Sequence, residues 1–317
     1  MRIGCIGLGN IGRHLAANLL GAGFDVVVHD LVRAAGEPLE QAGAEWADSP
    51  TAVAEVCDAV VTCLPSVAAI TAVVAGEQGL HEAMRPGSTW IDMSTNDRHE
   101  LLRLAELLAE RGVHTLEAPV TGGAHNASSA TITVLVGGDE QVYLRHADIF
   151  SAVGGRVFYL GALGQAAVIK VITNMLAFIH IAATAEAYML AARAGIDLRQ
   201  AWEVIRASSG NSFIHETEST TILSGSYDIG FSLDLSCKDL GFATQLGREL
   251  DVPLDIASTV EQLNIRARAA YGGAAGSPMV ARLLETACGL DLRAPGFPAD
   301  LDEYLATMPR ASRPDET

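Results

Sequence analysis

The chain has 317 residues, enough for two domains of about 150 residues each with a core in either. Apolar residues make up 49% and charged residues 19%, and mean hydropathy is +0.25, which excludes a disordered chain. Thirty-eight acidic residues against 21 basic ones leave a net charge of −17, so a polyanion would be repelled and no nucleic-acid partner is expected.

The first half alternates short apolar runs with helical stretches. Strand-like runs lie at 2–6, 25–29, 59–64, 89–93, 113–117, 131–136 and 156–159, and helical stretches at 11–23, 66–75 and 97–111. Strands and helices alternating at this spacing imply a mostly parallel sheet covered on both faces. The stretch 59–76 carries no charge, but Pro65 and Ser66 break it, so it reads as a buried strand, a turn and a helix rather than a membrane span. Past Gly161 the pattern changes. Residues 163–194 lack proline and are apolar all round, which predicts a helix of roughly 45 Å, buried on every side and joining two domains. Further helices are expected at 198–207, 237–250, 258–271 and 279–286, and a frayed tail at 310–317.

With the first strand starting at Arg2, no secretory leader is visible. Cys5, Cys57, Cys63, Cys237 and Cys288 are scattered, odd in number and without a C-x-x-C, so neither a disulfide framework nor a metal site is expected. They read as small buried hydrophobes in a reducing compartment. The expectation is a soluble, cytoplasmic protein with no membrane partner.

Gly7-Leu8-Gly9-Asn10-Ile11-Gly12 fits G-x-G-x-x-G, follows an apolar strand and opens a helix. Gly7 makes the tight turn, Gly9 lets a pyrophosphate approach the backbone, and Gly12 lets helix and strand pack closely. The helix N-terminus then offers N–H groups and a positive dipole end to phosphates. Asp30 ends the second strand, where a carboxylate accepts hydrogen bonds from ribose hydroxyls and repels a 2′-phosphate, favouring NAD over NADP. The same aspartate suits a turn or helix cap, and Arg33 nearby keeps NADP open. Cys63-Leu64-Pro65-Ser66 and Asp92-Met93-Ser94-Thr95 each end a strand at the carboxyl edge of the sheet. Either could be a plain turn; together they suggest a cofactor wall.

Three further segments follow in order. Glu117-Ala118-Pro119-Val120-Thr121-Gly122-Gly123 resembles the D-A-P-V-S-G-G signature of the β-hydroxyacid dehydrogenase family, and residues 131–138 continue in register. Gly161-Ala162-Leu163-Gly164-Gln165-Ala166-Ala167, then Lys170-Val171-Ile172-Thr173-Asn174, resembles the family's glycine-led K-x-x-x-N helix start. Phe231-Ser232-Leu233-Asp234-Leu235-Ser236-Cys237-Lys238-Asp239-Leu240 resembles its F-x-x-x-L-x-x-K-D-L element. The family includes 3-hydroxyisobutyrate dehydrogenases and the reductases of tartronate, glyoxylate and succinic semialdehydes, and the resemblance covers about residues 1–290.

The resemblance implies an α/β fold: a Rossmann-like doubly wound sheet, here residues 1–161, a linking helix at 162–194, and an all-helical domain at 195–309 for substrate binding and oligomerisation. It implies an active site in a cleft and a homodimer or homotetramer. Lys170 would be the catalytic acid/base. Asn174, Thr121, Gly122, Gly123, Phe231 and Asp239 would meet substrate, and Leu64, Pro65, Thr95 and Lys238 would join the glycine loop in contacting the cofactor. The chain departs from the pattern in four places. Glu117 stands for aspartate, Thr121 for serine and Ala130 for a glycine, and Lys170 follows Gly164 by six residues where several members have four. The alignment is anchored on Asn174 because the Lys-to-Asn spacing sets the catalytic geometry; Val168, four after the glycine, cannot exchange protons.

Oxidising an alcohol moves a hydride from carbon and a proton from oxygen; NAD can take the hydride, and a side chain must take the proton. Lys170 and Asn174 are four apart, so they share a helix face and converge on one oxygen. An apolar helix favours the neutral amine, the form that accepts a proton. From the residues alone, Lys170 could equally be a snorkelling lysine and Asn174 an interhelical hydrogen bonder. Gly122 and Gly123 suit a turn exposing N–H groups to a carboxylate, or a simple tight turn. His125 and Asn126 either line the pocket or face water. His180 reads as a core histidine, and residues 208–212 as a plain polar loop.

The leading expectation is an oxidoreductase passing a hydride between NAD and a short 3-hydroxy acid of the 3-hydroxyisobutyrate type. An NADPH-dependent reductase of glyoxylate, succinic semialdehyde or tartronate semialdehyde is the alternative, and a non-catalytic dinucleotide-binding sensor is a third. The retained Lys170, Asn174 and Asp239 speak against the sensor.

Overall fold

The structure, a computed structural model, describes residues 1–307, so the tail expected at 310–317 lies outside the described residues. The chain divides into two compact units, Met1–Lys170 and from Val171 onward.

Among the described residues the first unit holds nine strands: β1 Arg2–Ile6, β2 Asp25–His29, β3 Glu45–Trp46, β4 Ala59–Thr62, β5 Thr89–Asp92, β6 His114–Glu117, β7 Val120–Thr121, β8 Ile132–Gly138 and β9 Gly154–Tyr159. They form one sheet in the order β3-β2-β1-β4-β5-β6-β8-β7, with β9 beside β8. Pairing is parallel from β3 to β6, whereas β8 runs antiparallel to β6 and β7. The parallel register brings His29, Ile6, Thr62, Asp92 and Glu117 into one row at the carboxyl edge. Ligands of such sheets bind outside that edge.

The strands read as continuous apolar runs because both faces are covered. Val26 and Val28 join one core with Leu15, Leu19 and Ile91, while Val27 joins the other with Val60, Ile70, Trp90 and Leu104. Alternate residues of a strand point to opposite faces, so one strand feeds two cores. Local caps start several of the covering helices. Ser66 accepts the Ala69 N–H ahead of Val67–Ala75, and Asp97 accepts those of His99 and Glu100 ahead of Arg98–Ala109.

The second unit is helical. Its core gathers Ile181, Tyr188, Trp202, Ile222, Leu233, Ala267 and Val280, and a smaller cluster joins Phe178, Ala182, Leu240 and Val260. Its longer helices are Leu198–Arg206, Leu233–Glu249, Asp255–Tyr271 and Val280–Cys288, which the sequence anticipates within a few residues at most ends.

The long helix spans Gln165–Arg193. By length and composition alone it could cross a membrane, with a window of mean hydropathy 1.8, but that window is only 44% buried. The expectation of burial on every side is therefore corrected: Ile169, Ile172, Leu176 and Leu190 are exposed, Leu190 by 74%. They follow one another by 3, 4 and 14 residues, the last close to four helical turns, so they mark one row of the helix surface. Composition could not reveal this row, because an apolar residue looks alike whether a neighbour covers it or not.

Candidate active site

Gly7 has φ +92°, a conformation that disfavours any side chain, and a Cβ there would lie 2.4 Å from the Cys63 carbonyl oxygen. A Cβ on Gly12 would lie 1.9 Å from the Gly7 carbonyl oxygen. Gly9 differs, because nothing lies within 4 Å of where its Cβ would be. Two glycines thus permit the turn, and the middle one leaves a cradle open for a ligand. The helix that follows, Gly12–Gly21, has no side-chain cap and no acidic residue in its first turn, so its N–H groups and dipole suit phosphate oxygens. Leu8 is buried, Asn10 exposed and Ile11 half-buried around this loop.

Asp30 accepts the Leu8 N–H at 2.7 Å through one oxygen and the Val32 N–H at 2.8 Å through the other. The cap reading of this residue is thus realised, and the carboxylate also stands beside the loop. Arg33 is turned to other partners. Its guanidinium donates to both oxygens of Glu40 at 2.6 and 3.0 Å and lies 4.4 Å from the centre of the Trp46 ring.

At the end of β5, Asp92 is buried and accepts from the Thr62 hydroxyl, the Ser94 N–H and the Asn96 amide, each at 3.0 Å. Burial nevertheless raises its pKa, against these hydrogen bonds. The Ser94 hydroxyl accepts the Leu64 N–H at 2.9 Å, which ties the loop after β4 to the loop after β5. Leu64 and Thr95 are half-buried and Pro65 is exposed at this edge.

Glu117 ends β6 and is 1% exposed. Its carboxylate accepts the backbone N–H groups of Gly164, Ala166 (3.1 Å) and Ala167 (2.8 Å) at the start of the long helix. Beyond it, Gly122 and Gly123 have φ +123° and +85° and reverse the chain after half-buried Thr121. His125 is half-buried, and Asn126 is buried rather than facing water, its side chain lying against Gly122.

Lys170 lies in the second turn of the long helix and is 7% exposed. Its charge reaches Cys63, lowering a thiol pKa that burial pushes up to about 12. Lys170 is thus within electrostatic reach of Cys63, which follows β4 and packs on Gly7 and Gly12.

In the second unit the Asn174 amide donates to Asp239 at 2.6 Å, and the Lys238 ammonium lies 3.0 Å from the other Asp239 oxygen. Lys238 also lies 5.2 Å from the centre of the Phe242 ring. Asn174 and Asp239 are buried, at 8% and 1% exposure. Phe231 is half-buried and packs on Phe178, one turn beyond Asn174, with ring centres 5.8 Å apart. Asn174, Lys238 and Asp239 are thus brought together, with Phe231 beside the next turn of the same helix. The local reading missed the Asp92 network, the Glu40–Arg33 pair and the role of Glu117. All depend on partners distant in sequence or across a turn, and no local spacing marks them.

The chain is similar to known proteins along most of its length. Residues 2–161 match the family described as the NAD binding domain of 6-phosphogluconate dehydrogenase, and residues 164–284 that described as the NAD-binding domain of NADP-dependent 3-hydroxyisobutyrate dehydrogenase. The chain is 32% identical to 2-(hydroxymethyl)glutarate dehydrogenase of Eubacterium barkeri, over 92% of this chain and 97% of that protein. It is 35% identical to L-threonate dehydrogenase of Cupriavidus necator, over 88% and 94%. The crystal structure of 3-hydroxyisobutyrate dehydrogenase from Salmonella typhimurium superposes with a TM-score of 0.83 at 32% identity, covering 89% of this chain and 99% of that one. An open glycine cradle, a buried lysine near the sheet's carboxyl edge and these matches along most of the chain lead to one conclusion: the chain belongs to the β-hydroxyacid dehydrogenase family of NAD(P)-dependent oxidoreductases.

Proposed function

We propose that the protein oxidises a short 3-hydroxy acid of the 3-hydroxyisobutyrate type, with NAD as hydride acceptor and Lys170 as acid/base. The observation that carries this reading is Lys170 itself: a buried lysine whose charge reaches Cys63 beside the glycine loop. Gly7, Leu8, Gly9, Asn10, Ile11 and Gly12 hold the pyrophosphate, Asp30 the ribose, and Leu64, Pro65, Thr95 and Lys238 the remaining cofactor surface. Bound nicotinamide supplies a hydride acceptor. The Lys170 amine takes the hydroxyl proton, and its ammonium returns it in the reverse direction while stabilising the developing alkoxide. Asn174, one turn on and held by Asp239, orients the same oxygen. Thr121, Gly122 and Gly123 receive the substrate carboxylate, and Phe231 shapes the space around it.

NAD is preferred over NADP in this reading. Asp30 repels a 2′-phosphate, and Arg33, the nearby cation that could offset it, is occupied by Glu40 and Trp46. The name of the family matched by residues 164–284 carries NADP, which keeps open the cofactor of the second reading, an NADPH-dependent reductase of glyoxylate, succinic semialdehyde or tartronate semialdehyde. Turnover of a panel of 3-hydroxy acids and semialdehydes, each with NAD(H) and NADP(H) at equal concentration, decides between them. Oxidation of a 3-hydroxy acid with NAD supports the first; a clear NADPH preference with an aldehyde overturns it.

The working division is a nucleotide-binding domain at 1–161, the helix at 162–194 and a helical substrate and oligomerisation domain at 195–309. A homodimer or homotetramer fits the exposed apolar row Ile169, Ile172, Leu176 and Leu190, and the compartment proposed for it is the cytoplasm.

A further inference from the structure

The helix that carries Lys170 has no local cap. Ala162-Leu163-Gly164 offers no side chain able to accept a hydrogen bond, yet an α-helix leaves its first four N–H groups without partners. The acceptor comes instead from the far side of the sequence: the Glu117 carboxylate takes the N–H groups of Gly164, Ala166 and Ala167, 47 to 50 residues away. We propose that Glu117 is a positioning residue for Lys170, fixing the height and rotation of the turn from which the amine projects. The proposal rests on the reading of Lys170 as the acid/base.

Three observations give this tie the rigidity that positioning needs. Glu117 is 1% exposed and pairs in register with Asp92 on β5, so it is anchored in the sheet. Its carboxylate packs over Gly137 of β8, in the space a side chain there would take, since a Cβ on Gly137 would lie 2.4 Å from Oε1. Arg98 packs against the helix start from another side as well, since a Cβ on Gly164 would lie 2.8 Å from its Nε. Lys170 follows Ala166 and Ala167 by four and three residues, so it sits directly over the tied turn. Burying a carboxylate is costly, and burial does raise the Glu117 pKa, while the three N–H groups act to lower it. A cap at this cost would be needless if the helix had only to be stable, because a local serine or aspartate suffices elsewhere in the chain, as at Ser66 and Asp97. The Glu117–Gly137 pair is matched in size. An aspartate in place of Glu117 would withdraw the acceptor by one methylene and move the helix start or break the tie. A misplacement of about 1 Å at a reacting group costs on the order of 100-fold in rate.

The test uses the full-length protein, and measures kcat and KM with the hydroxy acid that the wild type oxidises fastest, together with the NADH dissociation constant. Glu117→Asp is expected to lower kcat by roughly 10–100-fold, with the NADH dissociation constant changed less than about twofold. Gly137→Ala alone is expected to lower kcat by crowding the carboxylate, and the double variant Glu117→Asp with Gly137→Ala to recover part of that loss. In a Lys170→Ala background, Glu117→Asp should add no further loss, because the group it positions is gone. Unchanged kcat in Glu117→Asp overturns the proposal, even if thermal stability falls. So does an equal fold-loss with and without Lys170, which would make Glu117 a general structural cap. Full turnover in Lys170→Ala alone instead sinks the acid/base reading, and the proposal with it.

Discussion

Ala130 has φ +56°, a left-handed conformation that an alanine adopts at a cost, and it stands where the family pattern carries glycine. Relief of that strain outweighs the extra freedom that glycine gives the unfolded chain, so Ala130→Gly is expected to raise stability by up to about 1 kcal/mol in urea unfolding. A loss of stability would show that the turn is unstrained. Arg33 poses a question of cofactor choice at the same scale. Its pair with Glu40 is partly exposed, so breaking it alone is worth little: Glu40→Gln should change the NAD/NADP preference less than about threefold. Asp30→Asn removes the charge that the proposed function sets against a 2′-phosphate, and should shift that preference toward NADP by about tenfold or more, or about 1.4 kcal/mol. Equal kcat/KM ratios in wild type and Asp30→Asn would exclude this aspartate from the choice.

Among the elements, two helices read from the sequence, 66–75 and 97–111, also carry local caps. Ser66 and Asp97 stand just ahead of apolar periodic stretches, and both accept the N–H groups that their position implies. Asp97→Ala is expected to cost about 1 kcal/mol in chemical denaturation while leaving turnover intact. The long helix was legible as a helix but not in its surroundings. Lys170, Asn174 and Tyr188 are buried on it and Leu176 and Leu190 are exposed, although composition makes the whole stretch look uniformly apolar. Its start was illegible for a different reason, since the cap at Glu117 is delivered by tertiary structure. In the same way the family motifs located Asn174 and Asp239 separately, and only the fold brings them within 2.6 Å.

For the whole molecule, two buried histidines link stability to pH. Burial holds His146 and His215 below their ordinary pKa. The His215 ring meets the Trp202 carbonyl oxygen at 3.0 Å and the Tyr188 hydroxyl at 3.2 Å. A pKa lowered in the folded state means that the unfolded chain binds more protons, so the contribution is whole above about pH 6.5 and fades as pH falls below it. His215→Gln should therefore destabilise by about 1–3 kcal/mol at pH 7 and by less at pH 5, a difference in which the opposing effects of Asp92 and Glu117 cancel. A penalty independent of pH between 5 and 7 would contradict the assignment. Assembly is tested on the exposed row of the long helix. Leu176→Lys should lower the mass found by light scattering, and an unchanged mass would locate the contact between copies elsewhere.

The proposed chemistry converges on the amine of Lys170, so its removal is the most direct test. Lys170→Ala is expected to lower kcat by roughly 10²–10⁴-fold, while NADH binding followed by fluorescence titration stays within about twofold of wild type. Turnover at the wild-type rate in that variant would contradict the account.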